Sequence, residues 1–111
     1  MGRNVFITIV KAVIASGQTV SGAIDCGEGG CLCALQLPAG FEGTALTLSV
    51  SADGITYTLL RDGSGAYQPA AAESAAISLD LGIMHPWRYV KVSGGAAQSA
   101  ERTISAVVLA E

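Results

Sequence analysis

From Leu46 to Leu60 the chain reads LTLSVSADGITYTLL, with apolar and polar side chains taking turns. Leu46, Leu48, Val50 and Ala52 fall on one side, and Thr47, Ser49, Ser51 and Asp53 on the other. Side chains alternate across a strand, so the segment predicts a sheet with one dry and one wet face. Residues 55–60 continue the pattern through Ile55, Tyr57 and Leu59. Asp53-Gly54 between the two runs predicts a tight two-residue hairpin turn. Similar turn markers recur at Ser16-Gly17, Gly27–Gly30, Pro38–Gly43, Asp62–Gly65, Gly82 and Ser93–Gly95, separated by short runs rich in Val, Ile, Leu, Thr and Tyr. The spacing predicts strands over 4–14, 19–25, 31–37, 44–52, 55–61, 76–80, 87–93 and 102–109. The expected fold is all-β: a single-domain antiparallel β-sandwich, jelly-roll-like, with about eight short strands.

The first run differs from the others. Val5, Ile7, Ile9 and Val13 occupy one face while Phe6, Val10, Ala12 and Ile14 occupy the other, so this strand asks for cover on both sides. Two readings stand. Residues 1–14 are an inner strand of the sandwich, or they form an N-terminal arm or edge strand that packs on a neighbouring copy. Residues 69–76, PAAAESAA, read as a loop carrying a helical turn, since proline suits a first helical position and alanine favours helix.

Composition sharpens this picture. The 111 residues make one domain, 1–111, with half of them hydrophobic and only 14% charged. The mean hydropathy of +0.50 raises the question of a membrane. The longest apolar run, Val5–Ala15, falls short of the roughly 20 residues a bilayer span needs, and Lys11 interrupts it. Arg3 alone makes a poor signal-peptide start, so a soluble chain made in the cytosol is expected. The net charge of −3, with six scattered Lys and Arg, provides no basic stripe for nucleic acid. The surplus apolar surface points instead to contact with other proteins.

Candidate chemistry is sparse. Cys26, Cys31 and Cys33 are odd in number and spaced C-x4-C-x-C, which fits neither a disulfide framework nor paired zinc ligands. They read as small buried hydrophobes. His85 stands alone beside Pro86, and Glu28 lies in a GEGG loop without phosphate-binding spacing. No nucleophile has a base in a recognisable motif, so a non-enzymatic protein without cofactor or metal is expected. Trp87 and Tyr89, in phase with Lys91, carry two readings: core anchors, or a platform on which a sugar stacks.

LTLSVSADGITYTLL followed by WRYVKVSG resembles the discoidin-like jelly-roll pattern of a V-S-x-D-G hairpin and an R-Y-V-K-V strand. More closely, the stretch from Ala23 to Leu109 resembles small virion proteins of tailed bacteriophages, through LQLPAGFEGTALTLSVSADG, SLDLG with WRYVKV, and a closing ERTISAVV. The resemblance implies a capsid decoration, or cement, protein of the virion, assembled in the host cytoplasm. Its partners would be the major capsid protein and copies of itself, as a dimer or trimer. The residues expected at such contacts are Phe6, Val10, Ile14, Glu28, Trp87 and Tyr89. The alternative is a glycan- or cell-surface-binding module of a phage fibre, spike or tail.

Overall fold

The computed structural model describes residues 6–110, and for Phe6 and Ala110 the backbone alone. Eight strands follow one another: β1 (Phe6–Ile14), β2 (Ile24–Asp25), β3 (Cys31–Gln36), β4 (Thr47–Ser51), β5 (Thr58–Leu59), β6 (Ala76–Ser78), β7 (Tyr89–Ser93) and β8 (Arg102–Ala110). A single turn of helix, α1 (Leu81–Met84), precedes β7. The strands form two antiparallel sheets, ordered β1-β8-β3-β6 and β2-β7-β4-β5. Within them β1 neighbours β8, β2 neighbours β7, β3 neighbours β6 and β4 neighbours β5. That nesting is a long hairpin rolled up on itself, the jelly-roll form of the β-sandwich.

Alternation decides which side chains meet between the sheets. From the first sheet Ala12, Ile14, Leu32, Leu35, Ile104, Ala106 and Val108 point inward; from the second come Ile24, Leu48, Val50, Val90 and Val92. The inward row of β3 changes phase at a bulge between Leu32 and Ala34, so Leu32 and Leu35 both reach the core. Cys33 occupies the bulge and its thiol donates to the Val107 carbonyl at 3.3 Å. An extra residue at this point is what lets two apolar positions of odd spacing share one interior. All three cysteines are free.

The hairpin between β4 and β5 is looser than its Asp-Gly signature predicts. Val50 lies opposite Thr58, so residues 51–57 form the connection and not a two-residue turn. The reason is the Asp53 carboxylate. Its Oδ1 accepts the N–H groups of Ile55 at 2.8 Å and Thr56 at 3.0 Å, and the Ser51 hydroxyl at 2.8 Å. Ser51 Oγ in turn accepts the Gly54 N–H at 2.9 Å. Local side-chain bonds thus replace the strand ladder that a tight turn would have started. Ile55, expected to share one face with Tyr57 and Leu59, is 84% exposed as a result.

These bonds hold Asp53 ionised and lower its pKa to about 2, the Ile55 and Thr56 amides contributing most. A carboxyl whose folded pKa is depressed stabilises the fold above its unfolded value, and that contribution disappears as pH falls through the folded one. Urea unfolding between pH 5 and 2 should therefore show the wild type losing more stability across pH 4 to 2 than Asp53→Asn does. Equal losses would mean that the loop forms without the charge.

Two other expectations yield to tertiary pairing. Residues 69–76 form no helical turn, because the segment is drawn out beside residues 44–46. The Leu46 N–H reaches the Pro69 carbonyl at 2.8 Å and the Ala71 N–H reaches the Thr44 carbonyl at 2.9 Å. The strand expected over 19–25 shortens to Ile24–Asp25, with Val20 making an isolated bridge to Ser93. Between them Ser21 is buried, and its Oγ accepts the Val92 N–H at 3.0 Å.

A buried carboxamide gathers the loops at one end of the sandwich. Gln98 Oε1 accepts the Glu42 N–H at 2.9 Å, while Nε2 donates to the carbonyls of Glu42 at 2.7 Å and Ala96 at 3.2 Å. The Gln98 backbone bonds Gln18 at 3.0 Å and Gly17 at 2.7 Å. Beside it the Glu42 carboxylate accepts from the Ser99 hydroxyl, the Ser99 N–H and Arg102, which holds its pKa below the usual range.

Candidate functional site

β1 lies at the edge of the first sheet, with β8 as its neighbour and its other edge outward. Its two apolar rows therefore have different fates. Ala12 and Ile14 are buried in the core and Val10 packs against it half-buried. The row Ile7, Ile9, Lys11, Val13 faces outward, with Ile7 67%, Ile9 51% and Val13 40% exposed. Across the ladder Ile7 stands opposite Leu109, Ile9 opposite Val107 and Lys11 opposite Ser105. Beyond β8, Leu109 is opposite Cys31 and Val107 opposite Ala34. The outer face of this sheet is thus an apolar field crossed by one cation, and Lys11 Nζ leans back to bond Ser105 Oγ at 2.7 Å.

The outer face of the second sheet is of another kind. Tyr89 covers the turn at Gly54, whose φ of +79° suits glycine and where an added Cβ would sit 3.2 Å from the ring. The Arg88 guanidinium lies 5.0 Å from the Tyr89 centroid, and Lys91 Nζ lies 4.3 Å from that of Tyr57. Arg88 also pairs with Asp25 at 2.8 Å, an exposed bridge that lowers the Asp25 pKa. Cations, rings and a carboxylate pair with one another here, and the apolar side chains left open, Ile55 and Leu59, lie at the β4–β5 end of the face.

The sequence-expected contact residues divide accordingly. Ile14 is fully buried and Val10 points to the core, so the outward surface of β1 belongs to the alternate row. The side chain of Phe6 lies outside the described residues. Glu28 is exposed in the turn after β2, where the Gly30 N–H bonds the Gly27 carbonyl at 3.3 Å. Trp87 and Tyr89 do not form one platform. Trp87 precedes β7, packs half-buried against the core and walls an open cleft of about 480 Å³ with Val50, Leu60, Ile83, Thr58 and Arg61. Tyr89 is not among the cleft residues.

Two of the three thiols, Cys26 and Cys31, are buried. Burial, with Cys31 close by, pushes the Cys26 thiol up to about 11, the opposite of an activated nucleophile. Burial raises Cys31 as well. Among the described residues no three His, Cys, Asp or Glu side chains are grouped as metal ligands, and no helix is long and apolar enough to cross a membrane.

The outward row and the Trp87 cleft were both unmarked in the sequence reading. For β1 the signal was present but symmetric, since both rows are apolar and alternation cannot say which one is inside. The cleft comes from the meeting of α1 with β5 and left no local trace. Compared with family models, curated proteins and solved structures, the chain has no match.

Proposed function

We propose that this protein is a non-enzymatic structural subunit of a tailed-bacteriophage virion, a capsid decoration or cement protein that bridges major capsid subunits. The observation that carries this reading is the open apolar outer face of the first sheet, centred on Ile7 and Ile9. The resemblance of residues 23–109 to small phage virion proteins supports it. Covering a half-open isoleucine contributes on the order of 1 kcal/mol, little for one contact. Many copies on a symmetric shell multiply that through avidity.

The test is retention on heads assembled from the capsid protein of the same phage, followed by sedimentation. The wild-type chain should co-sediment with the heads. The double variant Ile7→Asp, Ile9→Asp should bind at least about tenfold more weakly while keeping its far-ultraviolet circular dichroism, since a tenfold change is about 1.4 kcal/mol. Unchanged retention of the variant would remove the outer face from the contact. A glycan-binding role in a fibre, spike or tail would use the cleft instead, and a shift of Trp87 emission on adding oligosaccharides would favour that reading.

A further inference from the structure

In an antiparallel strand the N–H and C=O of one residue point to the same side, and the side changes with each residue. The Val13 carbonyl accepts the Gly22 N–H at 3.1 Å, away from β8, which sets the phase for the whole of β1. The backbone groups of Ile7, Ile9 and Lys11 therefore point to the free edge, and they have no backbone partner among the described residues. Their side chains are the outward apolar row and its single cation.

Natural sheet edges are usually guarded by proline, bulges, inward charges or free lysines. Residues 7–12 have no proline, pair with β8 in unbroken register, and hold their one lysine bonded back to Ser105. The apolar face alone is modest. Ile7, Ile9 and Val13 leave on the order of 300 Å² open, against about 800 Å² per partner in a standard interface. A partner has to use the edge as well as the face.

We propose that the partner at this edge is β1 of a second copy, paired antiparallel about a twofold axis through Ile9. In that register Ile9 faces Ile9 of the partner subunit, and Ile7 faces Lys11 on each side. All three open residues then exchange both of their hydrogen bonds. Shifting the register toward Val13 runs into the Gly22 bond, which closes the edge there. Among the described residues the open donors and acceptors are those of Ile7, Ile9 and Lys11, and the same strand turned about presents the matching set. The two Lys11 side chains stand roughly 14 Å apart at 3.4 Å per residue, beyond a Debye length of about 10 Å at 0.1 M salt. The result is a closed dimer with one continuous eight-stranded sheet, its apolar outer rows side by side.

This takes up the self-association in the reading above, and each can fail without the other: head retention tests that reading, solution mass tests this one. Light scattering on the wild-type chain should give twice the 11.2 kDa chain mass. Ile9→Lys and Ile9→Glu place like charges opposite each other, and each should dissociate at least about tenfold more readily. Mixed in equal amounts, the two variants should re-form one heterodimer. A wild-type monomer at high concentration overturns the proposal, as does a mixture that stays monomeric while the wild type pairs. Should either variant unfold, amide exchange of the wild type decides. The Ile7, Ile9 and Lys11 amides should slow at least tenfold as the protein is concentrated, while those of Thr8 and Val10 stay protected throughout. A dimer in which the three amides still exchange freely uses another surface and overturns the proposal.

Discussion

Leu48→Ala should lower the unfolding free energy by about 2–5 kcal/mol and remain folded at low temperature. Leu48 is fully buried and sits in β4, an interior strand of the second sheet, opposite Val92 of β7. Its side chain projects between the sheets among Val50, Val90, Ile104 and the other core residues. Truncation removes three carbons from water-free surroundings and leaves a cavity that two hydrogen-bonded sheets cannot close. The midpoint of thermal unfolding should fall on the order of 10 °C, with one cooperative transition retained. A shift under about 1 kcal/mol would mean that the sheets slide together over the gap, and the interior would then be softer than its burial implies.

Gln98→Ala should cost about 2–3 kcal/mol by a different route. Its carboxamide is 1% exposed and bonds both the N–H and the C=O of Glu42. Removing it strips three backbone groups, the Ala96 carbonyl included, of their partner, which costs more than the bonds themselves contribute. Gly94 and Phe41 wall the same spot: a Cβ on Gly94 would come within 2.9 Å of the Phe41 ring. Chemical denaturation measures the loss. Hydrogen exchange should locate it, with the amides of Glu42 and Gly17 losing protection before those of β3 and β8. Even loss of protection across the whole chain would show that the clasp is part of the global folding unit.

How much of this was written in the sequence depends on the element. Strands with one wet face announced themselves: Leu46, Leu48 and Val50 are buried as alternation requires. The order of strands was legible because glycine and aspartate punctuate it, and the sandwich follows from that order. Turn detail was not, since the Asp53 carboxylate takes the Ile55 and Thr56 amides in place of a tight two-residue turn, which the Asp-Gly pair alone does not announce. Pro69–Ala71 lost their helical leaning to residues 44–46, a partner that no local window contains. For the outward site the sequence supplied the residues but not the direction. Ile7 and Ile14 fall on opposite faces of β1, and only the packing of the second sheet against one of those faces leaves the first 67% exposed and the other at 0%. Trp87 and Tyr89 shared a phase on paper, yet the strand begins at Tyr89 and Trp87 is turned inward before it.

The nesting of β1 against β8 also sets an order in time. Of the eight strands, the first in chain order pairs with the eighth, Phe6 opposite Ala110. At roughly 5–20 residues per second, β1 waits on the order of 5–20 s for its neighbour to be made. Throughout that interval both of its apolar rows and both of its edges are open. Closing so distant a contact is slow in itself, because the loop entropy is lost before the pairing rewards it. The strand that waits for β8 is thus also the one most exposed to wrong partners during synthesis. Its single lysine, at position 11, is the only charge within the strand to discourage them.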